Sequence, residues 1–232
     1  MMGFNPIVLE LIILHQKTSS EIAYYAILQN ILESKLPKGE FLSQRMLADL
    51  AGTSIISVRE ALKRLEHEHL LESIPKWGYR IPVETRERII ALYSIREALE
   101  VMVAYILAKY ITEENAKLIY TMAEECDLIR TDGENSIKEF SGKHRELHLF
   151  MADCTGNHLL KKELQRLGLR SLLYQSAKST WANEVDDWEY WHRSLVEAIL
   201  SRDIVKAQEA MHKHIQHGLH HDLIMFDRGL FR

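Results

Sequence analysis

Histidine is the residue type in this chain whose placement most suggests chemistry. Nine of the twelve histidines lie at or beyond residue 144. His144 and His148 are four residues apart in one predicted helix, so both project from the same face. His192 lies early in a later helix and His214 lies in the last one, beside apolar residues. These side chains can point into a helical bundle, where neutral imidazole suits Zn²⁺, Ni²⁺ or Fe²⁺.

The histidine pattern also has a simpler interpretation. A histidine pair four residues apart on a helix is weak evidence of a metal site by itself. The later histidines can equally form a solvated, histidine-rich face: His212, His217, His220 and His221. The sequence leaves open ligation through His217 or His221 in place of His214. No Asp or Glu is placed as an obvious general base beside the histidines, so a histidine-ligated metalloenzyme is the weaker functional alternative.

A second group of residues, between Leu42 and Pro82, has the pattern of a module that grips a DNA duplex. Ser54 can accept a backbone N–H at the start of a helix. In the following stretch, Ser54–Glu66, apolar residues recur at the three-and-four spacing of one buried face. The other face carries donors that reach phosphates and base edges, namely Ser57, Arg59, Lys63 and Arg64.

The residues around this helix complete a winged helix-turn-helix. Ser43 opens a shorter helix, Gln44–Ala51, and Gly52-Thr53 is the short glycine-containing turn that separates the two. Downstream, residues 70–74 and 79–81 flank Pro75-Lys-Trp-Gly78, which predicts a two-stranded wing. The module indicates double-stranded DNA as the partner.

Composition limits the class of protein. The chain has no run of eighteen apolar residues, which predicts no membrane span. The apolar stretch Phe4–Leu14 is interrupted by Glu10 and predicts no secretory signal. Cys126 and Cys154 have no spacing typical of a disulfide framework, so we expect both to be reduced in a cytoplasmic protein.

Net charge does not favour DNA binding by itself. Residues 1–82 hold nine Lys/Arg and nine Asp/Glu, and the whole chain carries −4. Non-specific binding should therefore be weak. Specific binding requires the basic residues to cluster on one face, and a dimer would double them.

Pro82-Val83-Glu84-Thr85 separates two kinds of pattern. Residues 1–18 are an N-terminal extension, 19–82 the winged helix-turn-helix beginning with a helix at Ser19–Ser34, and 83–232 a helical domain. Six helices are predicted in the last: Arg86–Tyr110, Glu113–Thr131, Ser136–Cys154, Asn157–Ser179, Val185–Ser201 and Asp203–Asp222. The fold class is mainly α, with an all-α helical bundle after the DNA-binding module.

The whole pattern resembles GntR-type transcription regulators with a helical ligand-binding domain of the fatty-acid-regulator (FCD) kind, over residues 19 to 222. The most specific piece is Ser57-Val-Arg-Glu-Ala-Leu-Lys-Arg-Leu-Glu66, followed by Leu70-Leu71 and Pro75-Lys-Trp-Gly78. Three more pieces follow in order: Tyr93-Ser-Ile-Arg96-Glu-Ala-Leu-Glu100, His148 with Gly156-Asn157, and His192-x-x-Leu195-x-x-Ala198-Ile199 with Asp203.

Carried over position by position, the resemblance implies DNA contacts and a bundle metal. The DNA-contacting positions are Arg45, Ser54, Ser57 and Arg59, with Lys76 and Gly78 in a wing that approaches the minor groove. The metal, zinc first with nickel or iron as alternatives, would be held by His144, His148, His192 and His214. A small carboxylate effector would bind beside it with help from Arg96. Residue spacing equally allows Arg96 to pair with Glu100 within its helix.

Three residues depart from the family pattern. Ile55 stands where a basic residue usually begins the recognition helix. His69 replaces a glycine before the wing, where a left-handed backbone is costlier for any other residue. His144 replaces an aspartate, so the site is either all-histidine or a three-histidine site from which His144 swings away.

The resemblance implies a cytoplasmic, homodimeric regulator of transcription, most often a repressor, that reads a two-fold operator. A small organic acid would alter its DNA affinity through the helical domain. A direct metal-responsive regulator is the alternative.

Overall fold

The computed structural model describes residues 18–129, 134–167, 169–182 and 191–230. The chain divides into two compact units, Met1–Val83 and Glu84–Arg232, and the predicted mainly helical fold class is confirmed. Three predictions lie outside the described residues: the extension up to residue 17, the end of the helix predicted to reach Thr131, and the start of the helix predicted from Val185.

The helices of the N-terminal unit begin at hydroxyl side chains, as the sequence predicts. α1 (Ser19–Leu32) follows Thr18, which forms a reciprocal capping box with Glu21. α2 (Gln44–Ala51) follows Ser43, and α3 (Ile55–His67) follows Ser54, whose Oγ accepts from the backbone N of Ser57 at 3.1 Å. The observed α2 has the predicted bounds, because its start is capped and Gly52 ends it with a left-handed φ of 61°.

The wing is a three-stranded antiparallel sheet, so the prediction of two strands was incomplete. β2 (Glu72–Ile74) and β3 (Gly78–Arg80) form the predicted hairpin. β1 (Phe41–Leu42) pairs with the other side of β3, which makes β3 the central strand. A strand of two residues is too short for alternation in the sequence to reveal it.

One core holds the N-terminal unit together. The apolar residues predicted to line one face of α3 are all buried: Val58, Ala61, Leu62 and Leu65. They pack with buried residues of α1 and α2, including Ile27 and Leu47. The opposite face of α3 is therefore left at the surface.

The C-terminal unit is built from helices throughout its described part. These are α4 (Arg86–Tyr110), α5 (Glu113–Leu128), α6 (Glu134–Cys154), α7 (His158–Arg166), α8 (Leu169–Ala182), α9 (Trp191–Leu200) and α10 (Ile204–Asp227). The single helix predicted at Asn157–Ser179 was wrong: α7 ends at Arg166 and α8 begins at Leu169. The backbone N of Leu167 donates to Leu164 O, an i→i−3 bond that tightens and ends the last turn of α7.

The packing of these helices creates one interior. α10 packs along α4 and against α8 and α9, while α5 contacts both α6 and α9. Cys126 is buried in this core, and both it and Cys154 are free thiols. In the described parts of the chain, no helix combines the length and apolar character needed to cross a membrane.

Candidate functional site

Four histidines from three helices converge in the interior of the C-terminal unit. His144 and His148 lie on α6, His192 on α9 and His214 on α10. Each offers one ring nitrogen to a group whose members all lie within 4.8 Å of one another. His144 Nε2 is 2.8 Å from His148 Nε2, and His214 Nε2 lies 3.3 Å from the first and 3.2 Å from the second. The structure thus brings together all four predicted ligands.

These distances suit nitrogens that share one metal ion. With metal–nitrogen bonds of about 2.0–2.1 Å, two nitrogens on one ion lie roughly 3–3.4 Å apart at right or tetrahedral angles. His192 Nε2 is buried and has no hydrogen-bond partner in the described structure. Because an unpaired buried polar atom is costly, a cation among the four nitrogens would satisfy it. The residues present therefore fit a metal.

Carboxylates hold two of the four imidazoles from the far side. Glu100 of α4 contacts His148 Nδ1, and Asp127 of α5 lies 2.7 Å from His192 Nδ1. With an ionised carboxylate as acceptor, Nδ1 carries the proton and Nε2 keeps its lone pair directed at the cluster. Such partners orient metal-binding histidines and raise their basicity. His144 differs, because its buried Nδ1 has no hydrogen-bond partner in the part of the chain that the structure describes.

Asp127 is a site residue that the sequence analysis missed. Its Oδ1 also accepts from the backbone N of His192 at 3.2 Å, and its Oδ2 accepts from the backbone N of Arg193 at 3.0 Å. These N–H groups belong to the first turn of α9, where backbone donors lack helical partners. One carboxylate therefore fixes both the start of α9 and the His192 ring. The available signal was its position four residues after Ala123 on the buried stripe of α5, where an acid is unusual.

Glu100 links the histidine cluster to Arg96. Arg96 Nε donates to Glu100 Oε1 at 2.6 Å, and both side chains are 2% exposed. The ion pair that the spacing allowed is therefore present in the structure. Arg96 also retains a buried Nη2 that has no hydrogen-bond partner among the described residues, so part of the guanidinium is available for another contact.

The pKa shifts of His144 and His148 favour the neutral imidazoles that metal binding needs. Burial opposes ionisation of Glu100, but His148 and Arg96 outweigh it and lower the pKa of Glu100 to about 2. Burial, reinforced by the neighbouring imidazoles, places the pKa of His144 well below its ordinary value. Burial also lowers the pKa of His148, against the opposing effect of Glu100. Neutral imidazoles can donate their lone pairs without first losing a proton.

Two cavities adjoin the cluster. An inner cavity of about 20 Å³ is bounded by Arg96 and by three of the four histidines, His144, His192 and His214. An outer cleft of about 290 Å³ is lined in part by Ser194, Leu195 and Lys213. His214, Trp191 and His217 border both. The half-buried His214 therefore lies between the four clustered nitrogens and the outer cleft.

The remaining histidines of α10 lie outside the four-nitrogen group. His212 is exposed and pairs with Glu97 at 2.9 Å. The His217 ring packs against Trp191, with centroids 3.8 Å apart, and against His221 at 4.4 Å. The geometry of the described residues thus favours His214 over His217 or His221 as the ligand from this helix.

The predicted DNA-contacting residues lie on α2, α3 and the wing. Arg45, Arg59 and Lys76 are exposed. Arg59 Nε donates to Gln44 Oε1 at 2.8 Å, which ties α3 to α2. The hydroxyls of Ser54 and Ser57 lie 2.9 Å apart at the start of α3.

The backbone near the wing contains three residues in the left-handed region, of which the sequence analysis considered only His69. Gly78 adopts a φ of 104° in the wing turn, and Lys76 one of 70°. His69 has a φ of 55°, so this histidine does adopt the left-handed conformation in which glycine is usual.

Comparison with known proteins agrees with this architecture. The chain is 24% identical to the HTH-type transcriptional repressor GlaR of Escherichia coli (strain K12) over 212 residues, which cover 85% of this chain and 93% of GlaR. It is 25% identical to the probable D-xylose utilization operon transcriptional repressor of Paenarthrobacter nicotinovorans, covering 82% of each chain. The solved structure of E. coli McbR/YncC shares the fold, with a TM-score of 0.69, 16% identity, and coverage of 92% of this chain and 99% of that one.

Two family models match the chain in order along its length. The model for bacterial regulatory proteins of the gntR family matches residues 19–81, and the FCD domain model matches residues 91–217. The second alone spans more than half of the chain. The protein therefore belongs to the GntR family of bacterial transcription regulators with a C-terminal FCD domain, and its family is one of regulators, not enzymes.

Proposed function

We propose that this protein is a cytoplasmic, homodimeric repressor whose operator affinity is set by a small carboxylate effector bound beside a divalent metal in the FCD domain. The observation that carries the proposal is the group of four convergent histidines with Arg96 beside it. Both relatives described above are named as repressors, which supports the sign of regulation.

His144, His148, His192 and His214 would hold the metal, most simply zinc, with nickel or iron as alternatives. A cation held by neutral nitrogens keeps its full charge and, with open coordination positions, attracts carboxylate oxygens. Glu100 and Asp127 keep the protons of His148 and His192 on Nδ1, so that Nε2 stays available. His144 is the least supported ligand, because nothing orients its second nitrogen.

Arg96 would supply the second contact to the effector. Its Nε is committed to Glu100, and its Nη2 is buried and unpaired beside the inner cavity. A guanidinium donor next to a cation suits one carboxylate group. Because the half-buried His214 borders both cavities, the effector would enter from the outer cleft.

The small inner cavity favours a second candidate, a regulator that responds to the metal itself. A free volume of about 20 Å³ holds roughly one water molecule. A carboxylate of several heavy atoms would need the wall formed by Trp191 and His217 to move. If no rearrangement occurs, only the ion enters.

A self-association surface is supported by α4. Its exposed side carries a row of four apolar residues in the order Ala91, Ile95, Ala98 and Met102. Ile95 is 51% exposed and Met102 is 46% exposed. Apolar residues at alternating spacings of four and three form the seam by which helices pair. A second copy of the chain would cover this row.

DNA binding is tested by gel shift on the promoter region adjoining the gene, at fixed salt. We expect a sequence-specific complex that Arg59→Ala weakens at least fivefold, because one charge-assisted contact to DNA is worth about 1–3 kcal/mol. Arg166→Ala is the matched control, since Arg166 is a surface residue of the other unit, paired with Glu163. The proposal fails if no specific complex forms, or if both variants bind like wild type.

The effector and metal are tested together. Elemental analysis of purified protein should find close to one divalent ion per chain, lost in the His148→Ala, His192→Ala double variant. Short carboxylates should then raise the melting temperature of metal-loaded protein, since a ligand at a hundred times its Kd stabilises by about 2.7 kcal/mol. If metal alone changes operator affinity and no carboxylate shifts melting, the metal-responsive candidate is correct.

A further inference from the structure

Two isoleucines are exposed at the start of α3, and one of them, Ile55, stands where the family pattern places a basic residue. Ile56 is 71% exposed and Ile55 is 42% exposed. The apolar residues that hold α3 in the domain, among them Val58 and Leu62, are buried. Folding of the unit therefore does not account for these two side chains.

The isoleucines share their surface with groups suited to DNA. Ile56, Glu60 and Lys63 follow one another at spacings of four and three, so they lie on one face of the helix. All three are exposed. Ile55 precedes the exposed Arg59 by four residues. An apolar contact at the first turn is thus flanked by Arg59 and Lys63, which can bind phosphates and base edges, and by Glu60, which can accept only from a base amino group.

We propose that Ile55 and Ile56 read thymine C5-methyl groups in the major groove, which makes thymine a specificity determinant of each operator half-site. This inference rests on the proposed binding of operator DNA. An isoleucine has no hydrogen-bond donor or acceptor, so it cannot distinguish bases by the polar pattern of their edges. The thymine methyl is the apolar group that the major groove presents. Burying it against an exposed isoleucine removes both from water.

The size of the effect follows from one methyl group. Losing a buried methyl should weaken binding about fourfold. In a dimer bound to two equivalent half-sites, removing the methyl from both should weaken binding about fifteenfold, because the contributions multiply.

The experiment begins by selecting operators from a random duplex pool with the full-length wild-type protein. Each thymine of the enriched half-site is then replaced by deoxyuridine, which removes only the methyl group. We expect a loss of about fourfold per half-site at one or two thymines, and Ile56→Ala should bind the thymine and deoxyuridine operators equally. Ile56 is exposed, so its truncation leaves the fold intact. Ile55→Ala should do the same at a neighbouring thymine.

Lys63→Ala is the control on the same helix face. A lost phosphate contact should weaken both operators equally and reduce the salt dependence of binding. Failure to enrich any duplex would overturn the proposed DNA binding and this inference with it. An enriched operator without thymine in its half-sites, or one that deoxyuridine leaves unchanged, overturns the inference alone. The same holds if Ile56→Ala remains as sensitive to deoxyuridine as wild type.

Discussion

Replacing Asp127 by asparagine should weaken metal binding without removing any metal ligand. Asp127 is completely buried and makes four contacts at the start of α9: the His192 ring at 2.7 Å, the His192 backbone N at 3.2 Å, the Arg193 backbone N at 3.0 Å and Arg193 Nε at 3.3 Å. Asparagine keeps the shape but loses the charge, and its amide NH₂ meets one of these N–H groups with a second donor. His192 then becomes a weaker and less well-oriented ligand.

The expected magnitude is a tenfold to hundredfold loss of metal affinity, which is typical when the carboxylate behind a ligating histidine is changed. That loss corresponds to about 1.4–2.7 kcal/mol. Since the side chain also caps α9, we expect the metal-free domain to lose a further 1–2 kcal/mol or so of stability. Competition against a chromophoric chelator, with zinc and with nickel, measures the first quantity, and urea unfolding of metal-free protein measures the second.

A double-mutant cycle separates an effect through His192 from a general loss of structure. In a His192→Ala background, Asp127→Asn should cost less than twofold in metal affinity, because the ligand it supports is absent. Asp153→Asn is the matched control, since Asp153 is exposed and pairs with Lys161 at 2.8 Å. Retention of wild-type affinity by Asp127→Asn, or an undiminished loss in the His192→Ala background, would refute the assigned role.

Three further outcomes are expected. Burial raises the pKa of Asp222 to about 7 from an ordinary 3.8, despite the hydrogen bond from Tyr93. Between about pH 4 and pH 7 the native state therefore holds a proton that the unfolded state has lost. The free energy of unfolding then falls as the pH rises through this range. Relative to Asp222→Asn, the wild type should lose up to about 4 kcal/mol over that range, measured by urea unfolding at several pH values; parallel curves contradict this. Gly218→Ala would place a Cβ 3.0 Å from Ser176 Oγ and should cost about 1–3 kcal/mol, whereas Gly142→Ala, which meets nothing within 4 Å, should be neutral or stabilising. Met102→Asp should sediment as a monomer in analytical ultracentrifugation, and an unchanged dimer would exclude the exposed row on α4 as the dimer interface.

Local signals predicted the N-terminal unit well. The side chains of Ser43 and Ser54 cap the starts of α2 and α3, and the left-handed backbone of Gly52 ends α2. The bounds of α2 and the start of α3 could therefore be predicted from the sequence. The break between α7 and α8 and the two-residue β1 were missed. The first depends on how the last turn of α7 closes at Leu167, and the second depends on pairing with β3, which is distant in sequence.

The histidines of the proposed metal site were only partly predictable from the sequence. His144 and His148 share a face by local geometry alone. The choice of His214 over His217 depends on how α10 is rotated against α4 and α9, which no local pattern records. The contacts of Asp127 with His192 and of Glu100 with His148 were missed for the same reason. Each joins residues far apart in the chain, at separations of 65 and 48 residues.

The position of α4 suggests how the proposed metal site and the proposed dimer could be linked. Arg96 and Glu100 face the buried cluster, while Ile95 and Met102 are exposed on the same helix. A ligand that binds Arg96 therefore contacts the helix that carries the proposed dimer surface. Such a link must be reciprocal: if effector binding changes the dimer dissociation constant, dimerisation changes effector affinity by the same factor. Measuring effector affinity in wild type and in a monomeric Met102→Asp variant would detect it. Equal affinities would show that α4 transmits nothing between its two faces.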